Sequence, residues 1–310
     1  MFDIFESTTR PNGDLFFQKN DRNDVRLGEI VSFLIEDYAA AEIVILGCPQ
    51  DAGVARNKGR TGAALAPDAI RRQFYKLTDF GTNARIFDLG DTIIRETLEE
   101  THEIHTKIVA GILRDDKKII VLGGGNDISY ADGAAMAEIF GAESWSALNI
   151  DAHFDVRSDS PRNSGTPYRQ LLDECLLNPN NFSEIAFQTQ AASKIYFDFL
   201  ENSGVNLISL DELRNSDLSV RIREILSRTD SQNPIFWGFD VDSVRASDAP
   251  GVSAPSPIGL TAEEFCALAK IAGNALNTRM IEFTEVNPNF DIDNRTAKLA
   301  AIAMHYFIQA

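Results

Sequence analysis

Basic residues are scarce in this chain of 310 residues. Only 29 Lys and Arg stand against 46 Asp and Glu, a formal net charge of −17 at pH 7. With a sequence pI near 4.6, no cationic face is available to neutralise phosphates. That excludes nucleic-acid binding and polybasic attachment to anionic lipid as readings. Cysteine is also sparse. Cys48, Cys175 and Cys266 are odd in number and widely spaced, so neither a disulfide framework nor a CxxC zinc site is written here. A reducing compartment is expected. Runs of about 18 apolar residues are missing, so no membrane span is expected. The opening MFDIFESTTRPNGDLFF lacks the positive end and apolar stretch of a secretory signal. Linkers, repeats and low-complexity segments are missing as well. The expectation is a soluble cytoplasmic protein that binds neither nucleic acid nor membrane.

What the chain does contain is enough apolar surface for a core, at 44% hydrophobic and 9% aromatic residues. Eight short apolar runs recur: 42–49, 85–91, 118–125, 147–153, 184–188, 205–210, 234–242 and 280–286. They are apolar on both faces, rich in β-branched and aromatic residues, and most end in Gly, Asp or Asn, as strands of a parallel sheet covered on both sides do. Helical patterns lie between them. APDAIRRQFYKL carries Pro67 in its first turn, and Thr261 with Glu264 reads as a capping box. Alternating strands and helices predict one doubly wound α/β domain over 1–310, with 1–40 as an N-terminal segment and 41–310 as the core.

Polar residues gather where the strands end, which is where open α/β sheets place their sites. One strand closes on Asp151-Ala152-His153-Phe154-Asp155, another on Asp240-Val241-Asp242, a third on Glu285-Val286-Asn287-Pro288, a fourth on Gly123-Gly124-Gly125-Asn126-Asp127. On an extended strand, residues i and i+2 share a face, so Asp151 with His153, and Asp240 with Asp242, can each aim at one point. Converging carboxylates repel one another and raise each other's pKa. A divalent cation relieves this, and carboxylate with imidazole suits Mn²⁺, Fe²⁺ or Zn²⁺. Water between two such ions becomes a nucleophile near neutral pH. A lone DxD is more often a turn or a helix cap. Two such motifs in one chain, each closing a strand, favour the metal reading.

GGGNDIS, NIDAHFDVR, WGFDVDSVRASDAPGVSAPSPIGLT and FTEVNPNFDIDNRTAKLAA resemble, in order and spacing, the motifs of the ureohydrolase family of arginases, agmatinases and formimidoylglutamases. VILGCPQDAGVARNKGRTGAALAPDAIR is similar to that family's N-terminal signature, and DAPGVSAPSPIGLT with RNSGTPYRQL most resembles the formimidoylglutamases. The resemblance implies a three-layer α/β/α fold with an eight-stranded, mostly parallel sheet. It implies two Mn²⁺ ions, with a metal-bridging hydroxide attacking an amidine or guanidine carbon. Carried over, Asp151, His153, Asp155, Asp240 and Asp242 match metal ligands, Asp151 and Asp240 the bridging positions, and Glu285 the acid receiving the amidinium. Asp155 or a metal-bound water would handle the proton. The implied substrate is N-formimidoyl-L-glutamate, split into glutamate and formamide in histidine breakdown. The alternatives are a guanidine hydrolase acting on agmatine, arginine or guanidinobutyrate, and a metal-poor homologue without activity. A homo-oligomer is also implied.

One position departs from the family's pattern. Asn126 stands where the family has a histidine, as in GGDH or GGGH, so it is a weak or lost ligand, because an amide oxygen is a poorer donor than imidazole towards Mn²⁺. Asp127 follows directly, but its side chain should point elsewhere. For the two carboxylates of such a substrate, Arg157, Arg162, Asn163 and Arg169 are the candidates, with Arg245 a further one. Arg60 is expected to brace loops. His102 and His105, on a charged amphipathic helix, are expected to be solvated, and His305 to serve packing. The triple glycine lacks the Lys-Ser/Thr of a phosphate loop and is expected to allow close backbone approach.

Overall fold

All eight apolar runs are strands in the computed structural model, which describes residues 2–215, 217–228 and 232–310. They are β2 (Ile43–Gly47), β3 (Ile86–Thr92), β4 (Lys118–Leu122), β5 (Ser146–Ile150), β6 (Phe182–Phe187), β7 (Asn206–Ser209), β8 (Ile235–Asp240) and β9 (Thr278–Thr284), preceded by a two-residue β1 (Thr8–Thr9). Among the described residues the sheet therefore has nine strands rather than eight, in the order β1-β3-β2-β4-β9-β8-β5-β6-β7. The extra strand comes from the N-terminal segment. Thr8 and Thr9 pair antiparallel with Thr92 and Asp91 and cover the open edge of β3, while the other pairings are parallel.

Strand period divides the core into two layers. Ile43, Ile45, Ile120, Leu122, Leu148 and Ile150 face the helices Ala66–Phe74, Leu218–Arg228, Ala262–Asn274 and Arg295–Ile308. Val44, Leu46, Ile119, Val121 and Ala147 face the helices Leu98–Arg114, Ile128–Phe140, Pro167–Asp173 and Lys194–Ser203. Both faces are buried, and each such Ile, Leu or Val side chain stabilises the fold by about 1.5–3 kcal/mol. Capping follows the sequence where it was written. Thr261 and Glu264 form the capping box of Ala262–Asn274, and Pro67 sits in the first turn of Ala66–Phe74. The helix Ile128–Phe140 escaped the sequence reading because it is buried almost all round and rich in alanine, so it shows no apolar stripe. The N-terminal segment packs onto the body: Leu15, Leu27 and Val31 join one core layer, Ile4 and Tyr38 the other.

The four strands that end in polar motifs are consecutive in the sheet, β4-β9-β8-β5, although β5 and β8 are separated in sequence by two further strands. Their carboxyl ends meet on one edge.

Candidate metal centre

Asp151 follows β5 and Asp240 ends β8, and those strands are hydrogen-bonded neighbours, with Ile150 opposite Phe239. The residues beyond them do not continue extended. Asp151 Oδ1 accepts the His153 backbone N–H at 2.7 Å, and Asp240 Oδ1 accepts that of Asp242 at 2.9 Å. Each DxD or DxH therefore closes on itself as an Asx turn. Strand alternation is not what gathers these side chains; the turn is. Asp151, His153 and Asp242 offer ligand atoms within 4.8 Å of one another, and so do Asp151, Asp155 and Asp240. Asp151 belongs to both sets. His153 Nδ1 lies 3.3 Å from Asp151 Oδ1 and 3.4 Å from Asp242 Oδ1.

The electrostatics are those of a cation site. Burial, and then the Asp151 charge, push the Asp155 carboxyl well above the usual range; burial and the Asp242 charge do the same to Asp240. Asp242 is raised by burial against the opposing pull of His153. Glu285 is raised by burial and by Asp242, and the Asp242 charge raises His153 in turn. Asp242 Oδ1 and Glu285 Oε2 are buried carboxylate oxygens without a hydrogen-bond donor among the described residues. A cluster of this kind is stable in its ionised form only with positive charge among it. The donor set of carboxylates plus one imidazole fits Mn²⁺ or a similar divalent ion. Asp155 and Glu285 also adopt left-handed backbone, φ 46° and 63°, the kind of strain that concentrates at functional sites.

Asn126 turns its amide in a definite sense. Its Nδ2 donates to Asp155 Oδ2 at 2.5 Å, while its Oδ1 accepts from Thr284 Oγ1 at 3.0 Å and lies 2.8 Å from Ser129 Oγ. The nitrogen faces the acid cluster, and the oxygen, the only atom able to bind a metal, is held by hydroxyls. Its backbone N–H donates to Glu285 Oε1 at 3.0 Å. The glycines before it allow the close approach. A Cβ at Gly124 would stand 1.7 Å from the Gln50 carbonyl oxygen. Beneath the cluster, Asn149 Nδ2 lies 3.2 Å from both oxygens of buried Glu184, and Tyr168 donates to Asn149 Oδ1 at 3.0 Å. Burial and the Asp151 charge raise the Glu184 carboxyl.

A cavity of about 500 Å³ opens over the acids, with His153, Asp155, Asp240, Asp242 and Glu285 in its lining. Of the arginines expected there, only Arg157 lines it. Arg162 stacks on Tyr130 at 4.2 Å, Arg169 pairs with Asp173 and lies over Phe199, and Arg245 pairs with Asp248. Asn163 is buried and shapes its own loop, accepting from the Gly165 N–H at 2.9 Å. Near the cavity in sequence, each of these side chains instead engages another partner. Gly165 gives Arg157 its path, since a Cβ there would meet Arg157 Cδ at 2.7 Å. Asn57, Ser164, Ser193, Tyr196 and Ser253 also line the cavity. Asn57 and Ser164 sit in motifs already visible in the sequence; Ser193 and Tyr196, at the start of Lys194–Ser203, carry no local signal.

Two further expectations are corrected. His102 and His105 are buried, 1% and 0% exposed, not solvated. His102 Nε2 meets Asp127 Oδ2 at 2.8 Å, and His105 bridges Asp132 and Thr92. Arg60 does brace loops: it donates to the Ser253 carbonyl at 3.0 Å and stacks on Phe290.

A family model described as the arginase family matches residues 41–309. The formimidoylglutamase of Staphylococcus aureus is 32% identical over 283 residues, 91% of this chain and 90% of that protein. Among solved structures, Trypanosoma cruzi formiminoglutamase with two Mn²⁺ ions aligns at TM-score 0.85 and 33% identity, over 92% of this chain and 97% of that one. Bacillus subtilis formimidoylglutamase aligns at TM-score 0.87 and 26% identity, over 93% and 92%.

Proposed function

The chain belongs to the arginase family, and we propose that within it this protein hydrolyses N-formimidoyl-L-glutamate to L-glutamate and formamide with two Mn²⁺ ions. One observation carries the reading. A single cavity holds an acid cluster able to take two cations, the buried carboxylate of Glu285, and Arg157 as the one Lys or Arg among its described lining residues. That polarity matches a substrate with a cationic amidinium at one end and carboxylates at the other. The formimidoylglutamase relatives support it.

Asp151, His153 and Asp242 would hold one ion, and Asp151, Asp155 and Asp240 the other. Bound divalent ions supply Lewis acidity and lower the pKa of a water to near neutrality. The protein's own groups do the rest. Glu285, ionised once cations offset the neighbouring charges, receives the amidinium and orients its carbon towards the cluster. Arg157 offers a bidentate donor to a substrate carboxylate, fixing the molecule from its far end. As water adds to the amidine carbon and the bond to the glutamate nitrogen breaks, that nitrogen must gain a proton. In this reading Asp155 carries it, and its position at the cavity wall, with its other face held by Asn126, supports that role. The same reading takes the protein as cytoplasmic and homo-oligomeric, tested by fractionation and sedimentation.

The test is incubation of Mn²⁺-loaded protein with N-formimidoyl-L-glutamate, agmatine, arginine and guanidinobutyrate, measuring glutamate, formamide and urea. Glutamate and formamide from the first alone are expected. Urea from any of the others would favour a guanidine hydrolase, and no product at any Mn²⁺ level would refute the enzyme reading.

A further inference from the structure

We propose that His102 and Gln50, acting through Asp127, are positioning residues that hold the Asn126 loop in its metal-binding shape. The inference rests on the two-metal reading above and goes beyond it. Asp127 lies next to Asn126 and belongs to neither group of candidate ligands, and its side chain is buried. Its Oδ2 accepts from His102 Nε2 at 2.8 Å and from Gln50 Nε2 at 2.6 Å. All three residues are at least 95% buried. A carboxylate can only accept, so the imidazole carries its proton on Nε2, and among the described residues His102 Nδ1 is left buried without a partner. The two donors come from different elements. His102 projects from the helix Leu98–Arg114, and Gln50 from the loop after β2, where its own Oε1 accepts the Ala52 N–H at 3.0 Å.

Asp127 is thus clamped from two sides. The clamp transmits to the site through one peptide unit. Asn126 reaches Asp155 with its side chain and Glu285 with its backbone N–H. The clamp also has no slack, because a Cβ at Gly53 would stand 2.0 Å from Asp127 Oδ1. Partners that orient a metal site from outside the ligand set typically contribute 10–100-fold in metal affinity. The position served by Asp155 is the one that depends on Asn126 being held, so the effect should fall on one ion of the two.

The experiment titrates metal-free protein with Mn²⁺, reading free Mn²⁺ by electron paramagnetic resonance and bound metal by elemental analysis, for wild type, His102→Leu and His102→Gln. Melting temperature is measured in parallel. The expected result is one Mn²⁺ weakened about 10–100-fold in His102→Leu and largely restored in His102→Gln, which replaces the donor. A His102→Leu titration superimposable on wild type overturns the proposal, whatever happens to the melting temperature. If His102→Leu does not fold, Gln50→Leu removes the other donor to the same oxygen, and the same loss is required of it. Wild type that binds no Mn²⁺ would overturn the two-metal reading and this inference together; wild type that binds two, with variants that match it, overturns this inference alone.

Discussion

Replacing Asn126 by histidine should move stability and metal affinity in opposite directions. Asn126 is 1% exposed and engages three side chains. Its Nδ2 donates to Asp155, and its Oδ1 faces Thr284 and Ser129. An imidazole cannot reproduce this set. Losing the bond to Asp155 costs about 1–3 kcal/mol, and a hydroxyl left without its acceptor about 1 kcal/mol more. At roughly 2 °C per kcal/mol for a chain of this size, the metal-free variant should melt about 4–8 °C lower. Imidazole is the better donor to Mn²⁺, so the weaker ion should bind at least ~10-fold more tightly. With Mn²⁺ well above both dissociation constants, that returns about 1.4 kcal/mol through binding linkage. Thermal melts with and without Mn²⁺, beside the metal titration, measure both effects. A variant whose metal-free melting temperature and Mn²⁺ affinity both match wild type would refute the placing of Asn126 as a bound donor rather than a ligand.

Arg157→Leu should lower kcat/KM for N-formimidoyl-L-glutamate by about 10–150-fold, the value of a charge-assisted hydrogen bond, mainly through KM; an amidine without a carboxylate should show no change, and equal losses on both would exclude the role. Metal-free protein should lose stability as pH rises from about 4, because the carboxyls of Asp155, Asp240, Asp242 and Glu285 are raised and the folded state then holds more protons than the unfolded one. His153, also raised, works in the same sense: its contribution is full below its unfolded pKa and lost as pH climbs through the folded one. Since Mn²⁺ replaces those protons, its affinity should climb between pH 5 and about 8 with measurable proton release, and calorimetry in buffers of different ionisation enthalpy would show none if the cluster were already ionised. Arg71→Leu should cost about 3–5 kcal/mol by urea unfolding, because the buried guanidinium serves Asp88 at 2.8 Å and Asp91 at 2.6 Å; a loss below about 1 kcal/mol would mean those acids find other partners.

The sequence by itself determined the elements and the chemistry. Apolar runs buried on both faces announce parallel strands, Thr261 with Glu264 announces a helix start, and two acidic motifs at strand ends announce a cation site, because side-chain period and capping are local properties of the chain. It also exposed the anomaly at Asn126, since a missing imidazole is visible as a letter. Tertiary structure decided what those letters do. Strand order placed β9 and β8 between β4 and β5, and no local pattern encodes which strand inserts beside which. The Asx turns at Asp151 and Asp240, not strand alternation, set the direction of the clustered acids. His102 looked solvated because its neighbours in sequence are charged, yet it is buried, with Asp127 arriving from another element to accept a hydrogen bond from its Nε2–H. Of five nearby polar candidates only Arg157 reached the cavity, since Arg162, Arg169, Arg245 and Asn163 each had a closer partner. Most of those partners lie within four residues in sequence, but which side chains line the cavity is fixed only when the chain closes.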